Sequence, residues 1–297
     1  MLNEEELKYL RKAGKAVSDT LRMVVYKVHE GMPLIELCEL VEKTIRSLNC
    51  EPAFPCNVSI NSIAAHYTSY LSDTSVVPPK SLVKIDVGAH VNGFIADAAV
   101  TIALSDEYEP LIRAAEKALN VAIDNIRPGV KVGVIGSLIE STIRSFGLRP
   151  IRNLSGHMLA QYTLHGEKVI PNVSTETKTS IEPFEVYAIE PFVTNGFGLV
   201  VSSPGTYIFR YISPRNVGKH DKEILKAIWA RFKSLPFCDR WVKDLITGNP
   251  LAKLLELASK ASLHGYNVLV EKGRGLVAQA EHTVIVHEDG VEVTTSL

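Results

Sequence analysis

Two rhythms of apolar and polar positions run along this chain. Near its start Leu7, Leu10, Val17, Leu21, Val24 and Val28 recur at helical spacing, and Asn3 followed by Glu6 has the form of a capping box. The spacing predicts a first helix running to Gly31. Pro33, whose fixed φ suits a first helical turn, opens a second with Leu34, Leu37, Val41, Ile45 and Leu48 as its buried stripe. A third is expected from a Ser105 cap to the stop at Pro128-Gly129, and a fourth over about 132–146.

Over 82–103 the period changes to two. Asn92-Gly93, set between runs rich in Val, Ile and Phe, predicts a two-residue type I′ hairpin, because both turn residues need φ > 0. With Val91 facing Phe94, Asp86 falls opposite Ala99 and Asp97 opposite Gly88. The two aspartates are then diagonal neighbours on one face, roughly 7 to 8 Å apart at the backbone. Ile85, Val87, Ala89, Val91, Phe94, Ala96, Ala98 and Val100 fill the other face with no polar side chain. Like charges held this close repel unless cations neutralise them, and Gly88 is expected to leave room for such a centre. His90 shares that face.

The remaining segments add strands. Residues 51–68 hold a short strand whose following loop carries His66 and Tyr67. Residues 150–194 read as strand and loop, with Glu190 in the nearly apolar run 186–192. A strand over 276–288 alternates Gln279, Glu281 and Thr283 against Ala278, Ala280 and Val284, and a final strand is expected at 291–295. From about 214 to 265 the sequence turns helix-rich, with lysines outside and Ile224, Leu225, Ile228, Trp229, Phe232 and Trp241 inside. That stretch reads as an insertion.

Composition narrows the classes. A hydrophobic content of 46% in 297 residues supports a sizeable core, and a net charge of −1 argues against a general attraction to nucleic acid or anionic membranes. The start is acidic and helical, and no stretch approaches ~18 apolar residues, so a soluble cytoplasmic protein is expected. Cys38, Cys50, Cys56 and Cys238 lack C-x-x-C spacing and read as reduced thiols.

Asp86, Asp97, Glu190 and Glu281 interrupt strands otherwise built of Val, Ile, Ala and Phe. Each alone could be a surface or paired carboxylate. Together with an imidazole they offer the oxygen-rich donor set that a pair of divalent cations requires, and such a pair acidifies water and polarises a carbonyl.

Five blocks, AFPCNVSINSIAAHYT, KIDVGAHVNGFIADAAVT, NLSGHMLAQYTLHGEKVIPN, YAIEPF and AQAEHTVIV, give the chain its family likeness. In their order and across almost the whole length, the chain resembles the type II methionine aminopeptidases, in the short archaeal-type form without a long charged N-terminal extension. The resemblance implies an α+β pita-bread fold, a pseudo-twofold antiparallel sheet flanked by helices. It assigns 1–195 and 266–297 to the catalytic domain and 196–265 to the helical, winged-helix-like insertion of type II enzymes. It implies two divalent ions (Co, Mn, Fe or Zn) on Asp86, Asp97, His157, Glu190 and Glu281. Glu190 doubles as the proton acceptor, while His66 and His165 face the substrate as catalytic histidines. Phe54, Leu164 and Tyr266 match the lining of the methionine pocket.

Two departures stand out: GTYIF (205–209) replaces a segment with a pocket-facing histidine, and Ala280 is small for its place before the glutamate. The implied activity is removal of N-terminal methionine from nascent proteins with a small second residue. The implied partners are nascent N-termini and the ribosome, with no membrane, no specific nucleic acid and a monomeric chain. Two alternatives remain at this point: an X-Pro peptidase of the same fold and ligand types, and a non-catalytic pita-bread module that binds protein or RNA, against which the intact ligand set argues.

Overall fold

The structure, a computed structural model, describes residues 2–296. Its first helix, α1 (Glu4–Val25), begins as the capping box predicts: Asn3 accepts the Glu5 and Glu6 amides while Glu6 accepts the Asn3 N–H. It stops before Gly31, because Val28 reaches the core from a turn that merely keeps the helical spacing. After α2 (Leu34–Ser47) come the strands β1 (Glu51–Pro52), β2 (Asn57–Ile60), β3 (Ile63–Ala65), β4 (Leu82–Val91) and β5 (Phe94–Ala103). The β4–β5 register is the predicted one, Val91 to Phe94, Gly88 to Asp97 and Asp86 to Ala99. Asn92 and Gly93 both have positive φ, at 51° and 85°. Val17, Leu21, Leu37, Cys38, Val41 and Ile45 of the two helices bury the apolar face of this hairpin.

The plan then repeats. α3 (Glu109–Asn125) and α4 (Val132–Ser145) are followed by β6 (Arg149–Pro150), β7 (Ser155–Leu159), β8 (Val169–Pro171), β9 (Val186–Ile189) and β10 (Phe192–Thr194). Ala115, Leu119, Ile135 and Ile139 of the helices pack on Tyr187 and Ile189. Ser105 does not cap α3. It precedes a 3-10 turn over Asp106–Tyr108 and donates to Glu107, and α3 starts beyond that turn with Pro110 in its first turn.

Between the second unit and the last strands lie β11 (Val200–Tyr211), α5 (Lys219–Phe232), β12 (Phe237–Cys238), α6 (Pro250–Ser259) and β13 (Leu263–Glu271). Phe209, Leu225, Ile228, Phe237, Leu254 and Leu257 form a core of their own there. Trp229, expected inside, is 43% exposed, its ring resting against Tyr211 at 5.0 Å. A buried ion pair, Arg240 to Glu42 at 2.6 Å, fastens this region to α2, and β13 pairs with β3.

The run 276–288 is two strands, not the continuous one expected: β14 (Val277–Gln279), which pairs with β10, and β15 (His282–Val286), which pairs with β9. β16 (Val291–Val293) lies beside β15. The break falls at Ala280-Glu281, where the chain changes sheets while crossing the acidic face of the hairpin. Thr101 donates to the Gln279 carbonyl at 2.6 Å, Glu281 and Ala99 exchange backbone bonds, and Thr283 bonds the backbone of Asp97. The predicted alternation is therefore real, and it is read by β5 rather than by solvent. Two helix-backed antiparallel units curl around this crossing, which is the pita-bread architecture.

Candidate metal centre and cleft

Five side chains meet where the units face each other. Asp86 and Asp97 come from the hairpin, His157 from β7, Glu190 from just after β9, and Glu281 from the break between β14 and β15. Asp97, His157 and Glu281 each offer a ligand atom within 4.8 Å of the others, and all three are buried. His157 Nε2 lies 3.4 Å from Glu190 Oε1 and 3.8 Å from Asp97 Oδ2. Asp86 lines the same cavity, which measures about 250 Å³. No arginine or lysine forms an ion pair with these acids among the described residues.

Their electrostatics fit divalent cations. Burial pushes the Asp86 carboxyl up to about 7. Asp97 is raised by burial and by the charges of Asp86 and Glu190, Glu190 by burial and Asp86, and Glu281 by burial and Asp97. Desolvation, with His165 nearby, lowers His157 to about 3, so its ring is neutral and able to ligate. Buried polar atoms normally find partners, yet Asp86 Oδ1, Asp97 Oδ1 and His157 Nδ1 have none in the protein. Oxygen-rich donors with one imidazole suit Mn, Fe, Co or Zn.

The same cavity is walled by the other residues singled out from sequence. Phe54, Leu164 and Tyr266 line it with Ile208, and His66 and His165 point into it. His66 follows β3 with φ of 65°, and its Nδ1 is 3.3 Å from the Asn267 carbonyl. The His165 ring stands 4.5 Å from that of His157 and the His66 ring 5.4 Å from that of Tyr266, centroid to centroid. Desolvation by the cleft walls lowers both His66 and His165, so both are neutral at pH 7.

One expectation from the hairpin is corrected. The space above Gly88 belongs to Phe54, not to the metal centre: a Cβ there would lie 2.3 Å from Phe54 Cε1. His90 shares the acidic face but takes no part, since its Nδ1 accepts the Gly93 N–H and the residue borders a different cavity, against the inserted region. The strand GTYIF fills the uncertain wall with Ile208, while Tyr207 turns away to stack on Tyr70 at 4.6 Å.

Comparison with known proteins agrees with this geometry. The model of metallopeptidase family M24 matches residues 8–288. A methionine aminopeptidase from Methanothermobacter thermautotrophicus is 44% identical over 289 residues, covering 96% of this chain and 97% of the relative. The chain belongs to the methionine aminopeptidases of family M24. Among solved structures, the methionine aminopeptidase of Thermotoga maritima superposes with a TM-score of 0.73 at 24% identity, covering 100% of this chain and 98% of that one. The prolidase of Pyrococcus furiosus gives 0.66 at 16% identity, covering 99% of this chain and 65% of that one. These two likenesses establish the fold.

Sequence reasoning passed over one participant in the enzyme's site. Gln279, 2% exposed, donates through Nε2 to Glu281 Oε2 at 3.1 Å and reaches Glu190 Oε2 at 3.5 Å, holding two carboxylates from different strands. Its place two residues before Glu281, on the same side of an alternating run, was the available signal.

Proposed function

We propose that the enzyme hydrolyses the bond after an N-terminal methionine in this cleft, with Asp86, Asp97, His157, Glu190 and Glu281 holding two divalent cations. The observation that carries the reading is the convergence of four acids, Asp97 and Glu281 buried and Asp86 and Glu190 half-buried, with one neutral imidazole from separated segments, beside an apolar pocket. When bound, such cations acidify water and polarise the scissile carbonyl. The chain's own groups do the rest. Glu190, at the open edge of the acidic cluster, accepts a proton from the attacking water and returns it to the leaving amine. His165, neutral and therefore an N–H donor, stabilises the oxygen on which negative charge develops, and His66 orients the amide on the leaving side.

Phe54, Leu164, Tyr266 and Ile208 give the methionine side chain an apolar seat. Residues 196–265 act as the insertion subdomain that supplies one wall of this seat. The substrates in this reading are nascent polypeptide N-termini with a small second residue. A monomer in the cytoplasm suffices, because one chain supplies every group named.

The test compares Met-Ala-Ser with Ala-Pro-Ser peptides after chelation. Chelator should abolish cleavage of the first, Mn²⁺, Fe²⁺ or Co²⁺ should restore it, and the second should remain intact. Cleavage of the proline peptide in preference, or activity indifferent to chelation, would overturn the reading.

A further inference from the structure

Lys84 is the only buried lysine among the described residues, 1% exposed, and it makes no ion pair there. It sits two positions before Asp86, on the same face of β4. A buried amine is costly to desolvate, and an apolar residue of similar length would fill the space at lower cost. Its Nζ instead donates to two main-chain oxygens, that of Asn61 at 3.2 Å and that of Val277 at 2.8 Å.

These two oxygens belong to segments that lead into the site. Asn61, with φ of 52°, makes the turn between β2 and β3, five residues before His66. Its side chain accepts the Leu82 N–H at 2.9 Å and its carbonyl also accepts the Val277 N–H at 3.0 Å. Val277 opens β14, two residues before Gln279, which bonds Glu281 and Glu190. One amine thus joins the strand of Asp86, the turn before His66 and the strand that presents Gln279.

We propose that Lys84 is a positioning residue, an N–H donor that ties the Asn61 turn and the start of β14 to β4, so that Gln279 keeps Glu190 and Glu281 in ligating orientation. This rests on the proposed roles of those carboxylates.

Lys84→Met keeps the bulk of the side chain and deletes its donors. Calorimetric titration of Mn²⁺ should show affinity about 10- to 100-fold weaker, as for other groups that orient metal ligands. At saturating Mn²⁺, kcat on Met-Ala-Ser should fall about tenfold or more, with KM changed by less than about threefold. In Lys84→Ala, propylammonium should restore part of the lost kcat and Mn²⁺ affinity, whereas tetramethylammonium, which has no N–H, should not.

A Lys84→Met enzyme that melts lower yet keeps Mn²⁺ affinity and kcat within about twofold would overturn the proposal. So would equal rescue by both ammonium ions. Should Lys84→Met fail to fold, Lys84→Gln, which keeps an N–H donor, and Lys84→Leu decide. Gln retaining more Mn²⁺ affinity than Leu supports the proposal, and equal affinities or the reverse order refute it. Wild-type protein in the same assay tests the parent reading separately. If it is inert on Met-Ala-Ser the peptidase reading fails, and the Mn²⁺ titrations still judge Lys84.

Discussion

Thr283 holds Asp97 by both ends of its peptide: the Asp97 N–H donates to Thr283 Oγ1 at 2.7 Å, and the same hydroxyl donates to the Asp97 carbonyl at 2.7 Å. The segment carrying Glu281 is thereby pinned to the strand carrying Asp97, two residues from one proposed ligand and at the backbone of the other. Thr283→Val is nearly isosteric and removes both bonds. It should weaken Mn²⁺ binding about 10- to 100-fold, measured by calorimetric titration. Unchanged affinity would mean that the neighbouring Glu281–Ala99 bonds hold the register unaided.

The proposed ligands and the proposed substrate-facing residues should separate by what they lose. Asp86→Ala should abolish metal content and activity together, by metal analysis and peptide assay. His165→Ala should keep its metal and lose about 10² to 10³ in kcat, the usual worth of one oxyanion donor. A fully active, metal-free Asp86→Ala protein would remove the basis of the mechanism.

The buried acids also set a pH dependence. Their folded pKa values lie above the unfolded ones, up to about 7 for Asp86, so the folded chain without metal holds protons that the unfolded chain has released. Their own contribution to stability without metal is therefore greatest below the unfolded carboxyl value and is lost as pH rises through the folded one. Metal binding must expel those protons. Mn²⁺ affinity should rise between about pH 5 and about pH 7.5 with protons released, as read by calorimetric titration in buffers of differing ionisation heat. Affinity that falls over that interval, or binding that releases no protons, would contradict the assignment.

Gly88 tests the pocket. An alanine there would drive its Cβ to 2.3 Å from Phe54 and displace the ring. The expected signature of Gly88→Ala is a raised KM for Met-Ala-Ser with metal content preserved. Loss of metal with unchanged KM would show that the residue serves the ions after all.

Removing one partner of the Arg240–Glu42 pair should leave a buried charge unmatched. Arg240→Met is expected to destabilise the protein by about 3 to 5 kcal/mol in denaturant unfolding. Because Glu42 also accepts from Trp241 Nε1 and the Cys56 N–H, a Glu42→Gln change made in the Arg240→Met background should recover part of the loss.

Much of this molecule was legible in one dimension because its strongest signals are local. Asn92-Gly93 enforces a turn through φ alone, and the turn fixes which residues of β4 and β5 face each other. The same holds for the Asn3 cap. Misreadings arose where partners distant in sequence decide the outcome. Val28 kept a helical spacing without the helix, Trp229 found no room in the inserted core, and 276–288 broke because it serves two sheets.

Sequence by itself therefore determined the hairpin, the two pairs of helices and the presence of acids in apolar strands, since periodicity and turn chemistry act over a few residues. Only the tertiary structure decided that Gly88 makes space for Phe54, that His90 borders a different cavity, and that Gln279 bonds Glu281 and Glu190. Those outcomes depend on distances between segments far apart along the chain, set by how the two halves close on each other.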